Sequence, residues 1–147
     1  MKKIFTLLCL SIMLFIGATV PSTYASNQPV TPTIFVNKQK FESHALISYA
    51  GYAMISFRDI FTKYNMEVNW DQSKQTVTAK TKDGMKSFVL TANSNTAYIN
   101  NKSYDLAQSP FIQNGILYVN LRFISEALGA TVQYEKSSTT IFINTIK

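Results

Sequence analysis

Residues 118–134, YVNLRFISEALGATVQY, have a counterpart 64 positions earlier in residues 54–70, MISFRDIFTKYNMEVNW. Each stretch holds a short apolar run, then an arginine (Arg58, Arg122), a helical pattern, and a valine two residues before an aromatic (Val68–Trp70, Val132–Tyr134). A strand, a short helix and a returning hairpin cannot bury one apolar face unaided. Two such units are therefore expected to share a core.

The local punctuation agrees with this reading. Phe57, Ile60, Phe61 and Tyr64 recur at helical spacing, as do Leu121, Ile124 and Leu128. Ser56 and Asn120 stand where N-caps belong, with Ile55–Ile60 and Val119–Ile124 as hydrophobic staples. Asp59, three residues after Ser56, suggests an approximate capping box. Asn65 and Gly129 suit the left-handed stop of a helix.

Outside these helices the chain alternates with period two. MEVNW, QTVTAK, KSFVLT, TAYIN and KSYDLA are short β-favouring runs parted by DQSK, KDG, ANSN and NN turns. IFVNKQKFE reads as a tight hairpin about Asn37–Lys38. TVQY and TTIFIN read as a final hairpin. Phe35–Asn37 aligns with Tyr98–Asn100 at an offset of 63, and Gly51, Arg58, Asn65, Val68, Trp70 and Val77 align with Gly115, Arg122, Gly129, Val132, Tyr134 and Ile141 at 64. The expected fold class is α+β: antiparallel β-sheets packed on two short helices, built from two internally repeated β-α-β-hairpin units (34–81 and 97–145) with one core.

The N-terminus sets the expected compartment. Lys2 and Lys3 precede an apolar run from Ile4 to Ile16, and Thr23-Tyr24-Ala25 ends in a small residue. This is the pattern of a secretory signal peptide (1–25) cleaved after Ala25. The run is shorter than the roughly 18–20 residues a spanning helix needs, so no membrane span is expected after cleavage. SNQPVTPT (26–33) reads as an extended leader, and the domain as 34–147. No hydrophobic segment or sorting motif follows Lys147, so covalent wall anchoring is not expected.

Cys9, the only cysteine, lies inside the signal segment, so the mature domain has neither disulfide nor thiolate chemistry. Without Lys2 and Lys3, 12 basic side chains face 8 acidic ones, a net charge of +4. The lysines are scattered rather than clustered, which argues against nucleic acid and allows only mild attraction to anionic polymers.

GILYVNLRFISEALGATVQYEKSSTTIFI resembles the copper amine oxidase N-terminal-like domain, or stalk domain, found on many exported proteins of Gram-positive bacteria. Val119, Leu121, Arg122, Glu126, Ala127, Leu128, Gly129, Ala130 and Val132 match its pattern, with Tyr134-Glu135 at the Trp-Asp position. The earlier stretch matches at Arg58, Val68, Trp70 and Asp71. AYINNKSYDL is similar to the family's Val-Asn-Gly hairpin. Ser56 and Asn120 replace the family proline before Leu-Arg, and both still start a helix. The resemblance spans residues 34–145 and implies an appendage domain remote from any oxidase centre.

The residues themselves offer little chemistry. A copper site needs several imidazoles, whereas His44 is the only histidine. Met54, Met66 and Met85 read as core or gap-filling residues. A Ser-His-Asp arrangement would have to recruit His44, and no G-x-S-x-G elbow or Gly-rich phosphate loop is present. No metal, no cofactor and no enzymatic activity are expected.

A cation in a helix's first turn opposes the macrodipole. Arg58 and Arg122 are therefore expected to gain from tertiary contacts. They are structural ties to carboxylates or strand carbonyls, with Asp71 and Glu135 as natural partners, or else anion contacts for a ligand. Trp70 and Tyr134 read as packing between helix and hairpin, the alternative being sugar-stacking platforms. The functional expectation is a secreted, non-catalytic module that contacts a protein or the cell envelope. The alternatives are a wall-polymer binding module or a hydrolase modulator, and, more remotely, an enzyme of unrecognised type.

Overall fold

The computed structural model describes residues 29–145. The signal peptide, its cleavage point and the first residues of the leader lie outside the described residues.

The chain opens with a hairpin of β1 (Thr33–Val36) and β2 (Gln39–Lys40). Asn37 and Lys38 both adopt positive φ, 50° and 67°, the backbone of a two-residue turn whose twist matches the flanking strands. β3 (Ala45–Ile47) and β4 (Ala53–Ser56) follow, and β4 runs directly into α1 (Phe57–Lys63). The Ser56 hydroxyl caps α1 by accepting from Asp59 N, and Asn65, at φ 55°, ends the helical turn.

β5 (Glu67–Asp71), β6 (Thr76–Lys80), β7 (Ser87–Thr91), β8 (Thr96–Ile99) and β9 (Lys102–Asp105) form an antiparallel meander in that order. Asn100 and Asn101 turn β8 into β9 with φ of 50° and 65°. β10 (Phe111–Gln113) and β11 (Ile116–Asn120) lead into α2 (Leu121–Ala127). β12 (Ala130–Glu135) and β13 (Thr140–Thr145) close the fold.

The architecture is α+β, with antiparallel-rich sheets and two short helices. Three sheets have the orders β12-β13-β1-β2, β10-β11-β4-β3 and β5-β6-β7-β8-β9. One pairing departs from the antiparallel expectation: β1 lies parallel to β13, from Thr33 opposite Thr140 to Val36 opposite Ile143. This joins the two ends of the domain. In the middle sheet β4 and β11 pair with Ile55 opposite Val119.

One buried cluster draws on all three sheets and both helices, from Ile34 to Ile143. Alternation in β6 and β7 sends Val77, Ala79, Phe88 and Leu90 inward against Ile60 and Phe61. A smaller cluster of Leu46, Met54 and Tyr118 gathers about the same middle sheet.

Two expectations need correction. Met85, read as a gap-filler, is 71% exposed. It belongs to the β6–β7 turn, where its backbone N–H donates to Asp83 while its side chain faces water. Asp59 also leaves its expected capping box. Ser56 N donates to the His44 carbonyl instead, because Ser56 is still a strand residue and its N–H follows the β3–β4 pairing.

Candidate functional site

The two arginines line two separate clefts, each of about 300 Å³. Volumes of that order suit a small ligand or one unit of a polymer.

In the first cleft the sequence Ser-Phe-Arg-Asp, where β4 becomes α1, places four consecutive side chains along one wall. Ser56 is buried and caps the helix. The Phe57 ring stacks on Trp70, with centroids 5.7 Å apart. The Arg58 guanidinium lies 4.8 Å above the Phe57 ring, a cation–π contact that fixes the group and leaves its edge donors open. Among the described residues Arg58 forms no ion pair.

Asp59 reaches back across the cleft. Its carboxylate accepts from His44 N at 2.6 Å and from His44 Nδ1 at 3.0 Å. A carboxylate acceptor puts the imidazole proton on Nδ1 and leaves Nε2 as an acceptor in the neutral ring. Trp70 Nε1 donates to Gln72 Oε1 at 2.8 Å, which turns that amide toward the same rim. Ile112, Ile116 and Leu117 complete the cleft from the second half of the chain.

The second cleft uses corresponding positions. Asn120, Leu121, Arg122, Phe123 and Tyr134 line it where Ser56, Phe57, Arg58, Asp59 and Trp70 line the first. Gly51, Tyr52 and Ala53, from the first half, stand where Gly115, Ile116 and Leu117 stand in the other. Its chemistry differs, because Arg122 Nη1 donates to the Val132 carbonyl at 2.8 Å and to Glu126 Oε1 at 3.0 Å. Tyr134 stands 39% exposed on β12.

Neither carboxylate expected to receive an arginine does so. Asp71 accepts instead from Ser73 Oγ, Ser73 N and Lys74 N, which holds its carboxyl below the usual carboxylate range. Glu135 takes a long contact from Ser137 Oγ at 3.5 Å. In both places the strand turns immediately after the acid, so its nearest donors belong to its own turn. Sequence reasoning weighed His44 only as a lone imidazole without partners, and it missed Gln72 and the apolar wall of the first cleft. Strand pairing brings His44 and Asp59 together across 15 residues, and no periodic signal links them.

Residues 35–143 match the family model of the copper amine oxidase N-terminal domain. The chain belongs to that family. In a copper amine oxidase this N-terminal domain is a non-catalytic accessory domain. No curated protein matches the chain. Among the described residues no three His, Cys, Asp or Glu side chains gather to hold a metal ion, and no helix is long and apolar enough to cross a membrane. The amine oxidase accessory fold here presents two concave faces, of which only the first keeps its arginine open.

Proposed function

We propose that this chain acts outside the cell as a non-catalytic interaction module of the cell envelope, exported by cleavage after Ala25. The observation that carries this reading is the use made of the reactive side chains in the first cleft. Ser56, His44 and Asp59 meet there, the three residue types of a hydrolytic triad. Yet the serine hydroxyl is buried against Asp59 N as a helix cap, and among the described residues it makes no hydrogen bond to His44. A nucleophile must lie within hydrogen-bond reach of its base and be open to substrate.

The domain is further read as one unit used twice, residues 34–81 and 97–145. The pairing of β4 with β11 supports this. Ile55 faces its own counterpart Val119, while Ser56 and Met54 face Tyr118 and Asn120, each the counterpart of the other's partner. β7 is the strand with no counterpart, inserted between β6 and β8 where β13 and β1 pair directly. On this reading each cleft is an interface between units, and Arg122 is a tie within its own.

The test is sedimentation of the mature protein, residues 26–147, with purified Gram-positive cell walls. Co-sedimentation reversed by salt is the expected result, since a net charge of +4 on scattered lysines favours an anionic polymer. A protein that stays in the supernatant at low salt, or that turns over wall material, would overturn the envelope-module reading.

A further inference from the structure

The first cleft can be assigned a ligand class. We propose that it binds a sugar ring carrying an anionic substituent, with Trp70, Arg58, Gln72 and His44 as the contacts. The proposal rests on the interaction-module reading above and deepens it.

Comparison of the two clefts carries the argument. They are built from corresponding positions, but among the described residues only the first has an arginine with no ion pair or hydrogen bond to the protein. In the second, Arg122 is held by Val132 and Glu126, Phe123 stands where the first has Asp59, and no histidine is among the lining residues. In the first, the Arg58 guanidinium is steadied on Phe57, and among the described residues it pairs with no carboxylate. A fixed guanidinium with open N–H groups matches carboxylate or phosphate oxygens in a paired geometry.

The rest of the rim argues for a sugar rather than a bare anion. Gln72 receives Trp70 Nε1 on its oxygen, so its amide nitrogen is left to donate. His44 is engaged through Nδ1, so its Nε2 is left to accept, and its side chain is 69% exposed. Hydroxyl groups satisfy a donor and an acceptor side by side, whereas an anion alone satisfies only donors. Trp70, backed by the buried Phe57 ring, forms the aromatic side, against which the C–H face of a pyranose can lie.

Trp70 is the only tryptophan of the chain, so its fluorescence reads this cleft directly. The mature protein is titrated with digalacturonic acid and with glucose 6-phosphate, which separate carboxylate from phosphate. Maltose, acetate, inorganic phosphate and an acidic tripeptide are the controls. Saturable change in Trp70 emission with one or both acidic sugars, and not with the controls, is the expected result. Arg58→Gln should weaken it about tenfold or more. Arg122→Gln should leave it unchanged, with melting curves confirming that both variants fold. No change in emission at millimolar acidic sugar would overturn the proposal, as would equal response to maltose or to the tripeptide, or equal loss in both variants. Wall sedimentation that survives Arg58→Gln, alongside a silent Trp70, would sink this assignment while the envelope-module reading stood.

Discussion

Ile55 and Val119 sit opposite one another on β4 and β11, both wholly buried, where the two halves of the chain meet. Removing either side chain opens a cavity in the cluster that both helices pack against. Ile55→Ala should cost about 3 kcal/mol and Val119→Ala about 2. The double variant should depart from additivity by at least about 0.5 kcal/mol, because the two share one space. Urea unfolding of the four proteins measures this. Strict additivity would mean the halves do not pack through this pair.

Arg122 and Arg58 should separate in stability. Arg122 fastens α2 to β12 through the Val132 carbonyl, whereas Arg58 makes only a stacking contact. Arg122→Met keeps the aliphatic stem and should lose about 1 kcal/mol, a modest value because the group is half-exposed. Arg58→Met should lose less than about 0.5 kcal/mol. Equal losses in thermal melts would remove the distinction between tie and open group.

The hydroxyls of Tyr64 and Ser125 are both buried without a hydrogen bond of regular geometry. Burial pushes the Tyr64 phenol up, and the nearby Ser125 hydroxyl offsets part of that rise. An unsatisfied buried hydroxyl costs stability, and alanine is also the better helix former. Ser125→Ala and Tyr64→Phe should therefore be neutral or stabilising, by about 0.5–1 kcal/mol for the serine. Destabilisation by either change would show that the two hydroxyls bond in solution.

Asp71 should contribute to acid sensitivity. Its pKa is lowered, first by the Ser73 hydroxyl and then by Lys74 N, so the unfolded chain binds its proton more readily than the folded one. The stabilisation is complete above the unfolded value of about 3.9 and is lost as pH falls through the lower folded value. Asp83 behaves likewise, its pKa lowered first by the Thr81 hydroxyl. Melting temperature measured from pH 5 down to pH 2 should fall less steeply in Asp71→Asn, and less steeply still with Asp83→Asn added. Parallel curves for variant and parent would contradict the assignment.

Much of the fold was legible because its signals are local. Asn37, Asn100 and Asn101 take the positive φ that asparagine tolerates, and Lys38 follows Asn37 into the same turn. Asn65 and Gly129 end their helices for the same reason, and Ser56 and Asn120 cap them. The runs of β6 and β7 alternate as a half-buried sheet must. Less legible was β10, three residues whose few apolar positions set no period.

The candidate site was legible in outline only. Arg58 and Trp70 line one cleft, a grouping that no spacing announced, and Asp59, read as a cap, instead holds His44. A carboxylate three residues from an N-cap looks the same in sequence whether it reaches back to the cap or across to another strand. The choice depends on where the β3–β4 pairing places the His44 backbone.

By itself the sequence determined the local units: which residues turn, which cap, and which face of each strand is apolar. The tertiary structure alone decided how those units combine. It laid β1 parallel to β13 and closed each arginine cleft with residues from the opposite half. It also committed Arg122 while leaving Arg58 open. The physical reason is that period and punctuation specify a face and an end, whereas pairing partners arise from packing across the whole chain.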